Sequence, residues 1–159
     1  MSRKRNNKWL CLAFLITVAL VTASCDRKTI YHHYEHTSLT GWEKTDTLFF
    51  SPKRMAQTAV IQRDVELRIS DSYPFRSLNL IIEQTTLPSC HIRRDTLDCQ
   101  FMTPDGKILG QGITLYQYRF RLQDVSLNEG DSLSISIYHN MRREVLSGIA
   151  DIGVRLSAY

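Results

Sequence analysis

The stretch "DSLSISIYHN", Asp131 to Asn140, decides the fold. Leu133, Ile135 and Ile137 fall on one face, with Ser134, Ser136 and Tyr138 on the other. Successive side chains of an extended strand point to opposite faces, so this segment is predicted to be a half-buried strand. The same period of two recurs on both sides of it. "VIQRDVELRI" (60–69) sets Val65, Leu67 and Ile69 against Asp64, Glu66 and Arg68. "SLNLIIEQ" (77–84) alternates Leu78, Leu80 and Ile82. "TLYQYRFRLQ" (114–123) sets Tyr116, Tyr118, Phe120 and Leu122 against Gln117, Arg119 and Arg121. "DTLFF" (46–50), "DTLDCQFM" (95–102) and "DIGVRLSA" (151–158) complete a set of short strands.

Turn chemistry separates these segments. "SDSYPF" (70–75), "TPDGK" (103–107) and "LNEGDS" (127–132) supply the Pro, Asp and Gly that reversals need. No window carries a helical stripe; "NMRREVL" (140–146) offers at most one helical turn. Short strands, each with one apolar face, predict an all-β, antiparallel β-sandwich, Ig-like or jelly-roll-like, as a single domain over 42–159.

The chain opens differently. "MSRKRNNKWLCLAFLITVALVTASC" has a basic start, a short apolar run and small residues before Cys25. A spanning helix needs about 20 apolar residues. This run is shorter, and its layout is that of an export signal over 1–24. Ala23-Ser24 directly before Cys25 resembles the bacterial lipobox, although Thr22 stands where leucine is usual. The resemblance implies cleavage before Cys25 and acylation of that residue. The expected partner is then the lipid bilayer, reached through acylated Cys25 and a lipidated tether over 25–41. "DRKTIYHHYEHTSLTG" within that tether has no sustained apolar period. Its His32, His33 and His36 lack a further ligand at suggestive spacing, so no metal site is expected.

The formal charge of +4 comes from 20 Lys+Arg against 16 Asp+Glu. Arg3, Lys4, Arg5 and Lys8 account for the excess, so the chain from Cys25 onward is formally neutral. No basic block remains to track phosphates, and nucleic acid is not an expected partner. Two cysteines, Cys90 and Cys99, remain beyond Cys25. In an oxidising compartment such a pair predicts a disulfide, contributing roughly 2–3 kcal/mol.

Chemistry is hard to find. No G-x-S-x-G elbow is present. "GKILGQG" (106–112) is glycine-rich, but no predicted helix follows to hold an anion. Asp95 and Asp98 read as a loop cap or solvated edge, and His139 has no evident partner. No enzyme and no cofactor is expected. Trp42, Tyr31, Tyr34, Tyr73, Phe75 and Tyr138 leave open an alternative, a sugar-stacking platform on a glycan-binding lipoprotein.

Several segments together resemble the GldH gliding-motility lipoprotein family of Bacteroidetes. They are Tyr73-Pro74-Phe75 before a Leu-rich strand, Asp95-Thr96 leading to Gly106, Gly110 and Gly112, and a terminal pattern of Met141, Arg142, Leu146, Gly148, Ile149, Asp151, Ile152 and Gly153. The resemblance implies a membrane-anchored, non-enzymatic component of the surface-gliding apparatus, associated with type IX secretion. Asp26-Arg27-Lys28 lacks the acidic cluster that resembles a surface-export signal, which implies an outer-membrane location facing the periplasm. Loops on a rigid sandwich are where binding is usually placed. Met141, Arg142, Gly148 and Ile149 are therefore the expected contacts with a protein partner; the alternative is a crossover loop whose glycines serve backbone geometry.

Overall fold

A computed structural model describes residues 28–159. Cys25 and the expected export signal over 1–24 lie outside the described residues. Ten strands follow in chain order. They are β1 (Lys28–His36), β2 (Trp42–Glu43), β3 (Leu48–Phe50), β4 (Ala59–Ser70), β5 (Ser77–Leu87), β6 (His91–Gln100), β7 (Leu115–Leu127), β8 (Ser132–His139), β9 (Val145–Leu146) and β10 (Ile149–Ala158). No helix appears among the described residues; "NMRREVL" ends instead in β9.

Two four-stranded antiparallel sheets are formed, β1-β10-β4-β7 and β3-β8-β5-β6. The chain passes from one sheet to the other at almost every connection, and its first and last long strands are neighbours. That order is the jelly roll, so of the two expected sandwich types the second is realised. The period of two explains the packing. Val65, Leu67 and Ile69 of β4, Leu78, Leu80 and Ile82 of β5, and Leu133, Ile135 and Ile137 of β8 all face one shared core.

A charged residue also enters that core. The β4–β7 register slips between Ile61 and Arg63. Arg63 is 2% exposed and crosses between the sheets. Its Nη1 donates to Gln84 Oε1 at 2.9 Å and its Nη2 to Asp95 Oδ2 at 3.0 Å. The Gln123 carbonyl accepts two more donors, at 2.9 and 2.7 Å. Asp95 is thus an internal clamp between sheets rather than a solvated edge.

Two expectations are corrected. Residues 28–36, read as part of a tether, form β1, paired along its length with β10. Its side chains are mostly polar because it is an edge strand. The Cys90–Cys99 disulfide is not formed. Cys90 sits exposed in the β5–β6 turn, while Cys99 lies in the core opposite Leu78. Nine steps of extended chain separate their positions by about 30 Å. A disulfide needs Cα atoms within about 7 Å. Burial, with a smaller contribution from Asp98, pushes the Cys99 thiol well up and keeps it inert. Thiol reductant is therefore expected to leave the melting temperature unchanged, as differential scanning fluorimetry would read.

Candidate interaction surface

Antiparallel order gives the sandwich two ends. At one lie Lys28, the 51–58 connection, the β5–β6 turn, the β7–β8 turn and Ala158. We call this the near end, because the chain enters there. The far end carries the 37–41, 71–76, 101–114 and 140–148 connections.

The far end is built around Trp42. Gly41 has φ +120, and Trp42 follows as half of β2, opposite Leu146 of β9. The indole is fully buried. Its Nε1 donates to the Asp46 carbonyl at 3.0 Å, and its ring meets His139 edge-on at 5.2 Å. Burial pushes the His139 imidazole below its ordinary range, against the opposing pull of the Trp42 backbone. Gly148 has φ +84, and its carbonyl accepts the Ser70 amide at 2.8 Å. On this base the loops expose a set of large apolar side chains. Leu39 is fully exposed, Ile113 86%, and Leu109, Leu115 and Val145 are also open to solvent. The Asp71 amide donates to the Thr114 carbonyl at 3.1 Å, which seats the Ile113 loop beside the β4–β5 turn. On the other side of that turn, between Leu39 and Ser72, runs an open cleft of about 530 Å³.

The four expected partner residues divide. Arg142 is exposed, and no hydrogen bond or ion pair holds it among the described residues. Neighbouring Arg143 lies 5.9 Å over the Phe75 ring. Met141 is half-buried against the core, its Sδ accepting the Asn79 amide at 3.5 Å. Gly148 and Ile149 line the floor of the cleft, and Ile149 is only 4% exposed. Sequence reasoning missed Leu39 and Ile113. Their only signal is a large apolar residue inside a polar loop.

The terminal glycine pattern has a second structural reason, on the outer face of the first sheet. Tyr34, Gly153, Glu66 and Arg119 stand side by side across all four strands. Gly153 leaves room for the Tyr34 ring; a Cβ there would stand 2.6 Å from the ring edge. The Glu66 side chain is completely buried beneath this layer. It accepts from the Tyr34 hydroxyl, from Arg119 Nε at 2.7 Å and pairs with His32 Nε2 at 2.9 Å. Arg68 stacks on Tyr34 at 4.1 Å, and His36 pairs with Asp151. The histidines once weighed as metal ligands therefore hold carboxylates. No metal-binding group of three or more ligands occurs among the described residues.

Burial alone would push the Glu66 carboxyl up. Hydrogen bonds from Tyr34 and His32 and the Arg119 charge outweigh it and hold the carboxyl below its ordinary range. A depressed folded-state pKa adds stability that is present above the unfolded value, about 4.3, and is lost as pH falls through the folded one. Glu66→Gln is expected to cost about 2 kcal/mol at pH 7. The gap to wild type should close below pH 4, which urea denaturation across pH would measure.

The expected aromatic platform loses two of its six rings to the core. Trp42 and Tyr73 face the core, and Tyr138 is engaged by Arg94 and Glu83. The glycines of "GKILGQG" lead into β7, not a helix, so no phosphate loop forms.

The class the fold defines is a jelly-roll β-sandwich, with the chain entering at one end and open apolar loops at the other. The chain belongs to the GldH lipoprotein family, whose model matches residues 29–156. It is 28% identical over 149 residues to the gliding motility lipoprotein GldH of Flavobacterium johnsoniae, covering 89% of this chain and 92% of that one. It is also 28% identical over 152 residues to a GldH homolog of Christiangramia forsetii, covering 90% and 91%. Both relatives are named as motility lipoproteins, not as enzymes. Among solved structures, the mosquito-larvicidal Cry4Aa toxin of Bacillus thuringiensis aligns with 74% of this chain and 19% of its own. The TM-score is 0.44 and the identity 10%.

Proposed function

We propose that the protein is a lipid-anchored, non-enzymatic docking subunit of the envelope machinery for gliding motility and type IX secretion. Acylated Cys25 holds it in the outer membrane, facing the periplasm. The far end then points away from the bilayer and receives a protein partner. The observation that carries this reading is the placement of Leu39, Ile113 and the unpaired Arg142 together at the end opposite chain entry. Family membership and the names of the relatives support the motility setting. Apolar anchors with an arginine at the rim match the composition of protein interfaces.

The test uses full-length protein in a Bacteroidetes host, with crosslinking and affinity recovery. Arg142→Glu and Ile113→Asp should each remove co-purifying secretion or motility components that wild type retains, at unchanged melting temperature. Cys25→Ser should release the protein from the membrane fraction. Unaltered co-purification in both far-end variants would overturn the docking surface.

A further inference from the structure

The near end holds a cleft of a different kind, about 330 Å³ and mostly apolar. Ile30 and Tyr31 of β1 form one wall, Met55 and Ala59 the other, with Leu133 and Leu156 at the base. The Met55 wall is fixed. The Met55 amide donates to the Asp131 carbonyl at 2.7 Å, and the Gly130 amide donates to the Met55 carbonyl at 2.9 Å. Lys53 and Arg54 lie exposed at the mouth, and no ion pair engages them among the described residues.

An apolar cleft in this position needs an apolar occupant, and chain geometry names one. β1 begins at Lys28, three residues beyond Cys25. Three extended residues span at most about 10 Å. A group carried on Cys25 is therefore within reach of the cleft, whose lining begins at Thr29 and Ile30. A cationic rim over an apolar pocket also suits a group whose other end belongs among anionic headgroups.

We propose that this cleft takes a fatty acyl chain carried on Cys25 and shelters it whenever the protein is outside a bilayer. The proposal rests on the reading of Cys25 as the lipidation site. In a bilayer the chain partitions into the hydrocarbon and the cleft empties. The protein thus has two states, chain housed and chain inserted, and the surrounding medium selects between them.

The test feeds cells a palmitate analogue bearing a photoreactive diazirine, and purifies the full-length protein. Intact mass first reports whether Cys25 is acylated. Irradiation follows in detergent-free buffer and, separately, after reconstitution into phospholipid vesicles. Adducts are mapped in the monomeric product. The expected result is labelling of the peptides holding Met55 and Leu133 in buffer, severalfold weaker in vesicles. Met55→Glu should reduce it while leaving the circular dichroism unchanged. Acylated protein with no adducts in those peptides, or labelling unaffected by Met55→Glu, would overturn the cleft assignment and leave the anchor reading standing. Protein without acyl mass would overturn both.

Discussion

Trp42→Ala is expected to cost about 3–5 kcal/mol. That is a large share of the roughly 5–15 kcal/mol available to a domain. The indole is fully buried, yet it hangs on a strand of two residues. Removing it opens a void beside His139 and strips the Asp46 carbonyl of its donor. It also removes the side chain that stands opposite Leu146 of β9, the strand that ties the 140–148 loop to β2. Urea denaturation should show a much lower midpoint at similar slope. Trp42→Phe keeps a ring against His139 and loses mainly the indole donor, so its cost should be about 1 kcal/mol.

Gly148→Ala carries the second largest effect, about 2–4 kcal/mol. Two costs combine. At φ +84 an alanine Cβ is strained in any surroundings. Here that Cβ would also stand 2.6 Å from the Tyr73 amide nitrogen and 2.8 Å from its Cα. Those are backbone atoms, which cannot swing aside as a side-chain tip can. The Ser70 amide bond to the Gly148 carbonyl would be displaced as well. Arg142→Glu, six residues earlier on the open side of the same loop, should change stability by less than about 0.5 kcal/mol. Thermal melts of the two variants separate the parts of the terminal motif: the Gly148 variant is expected to lose stability and the Arg142 variant to keep it.

The sandwich was legible because its central strands are half-buried. β8 has Leu133, Ile135 and Ile137 inside, as its alternation demands. β4 was legible only in part. Asp64 and Glu66 alternate with its apolar residues and so read as solvent-facing, yet both are buried. The cause is tertiary: Tyr34 and Arg119, from strands distant in sequence, reach across the outer face to Glu66. β1 was missed for a related reason. An edge strand pairs on one side only, and "KTIYHHYEH" has polar residues on both faces, so no alternation marks it. The disulfide expectation rests on compartment and an even cysteine pair, which carry no geometry, and the residues between the two are extended. The far-end surface left the weakest trace. Arg142 was identified through a family pattern, whereas Leu39 and Ile113 acquire meaning only when folding brings their loops to one end.

The neighbouring placement of β1 and β10 also governs how the molecule is made. Lys28 lies opposite Ala158, and Phe50 opposite Ile135, so most pairings join distant parts of the chain. The β5–β6 hairpin, closing at Thr86 and His91, is the main local pairing. Loop-closure entropy makes such a topology slow, in the range of milliseconds to seconds. The two sheets differ in when they can close: β3-β8-β5-β6 has all its strands once β8 is made, whereas β1 and β4 are both joined through β10 and wait for it. The sheet that carries the chain's entry is consequently the later of the two to close.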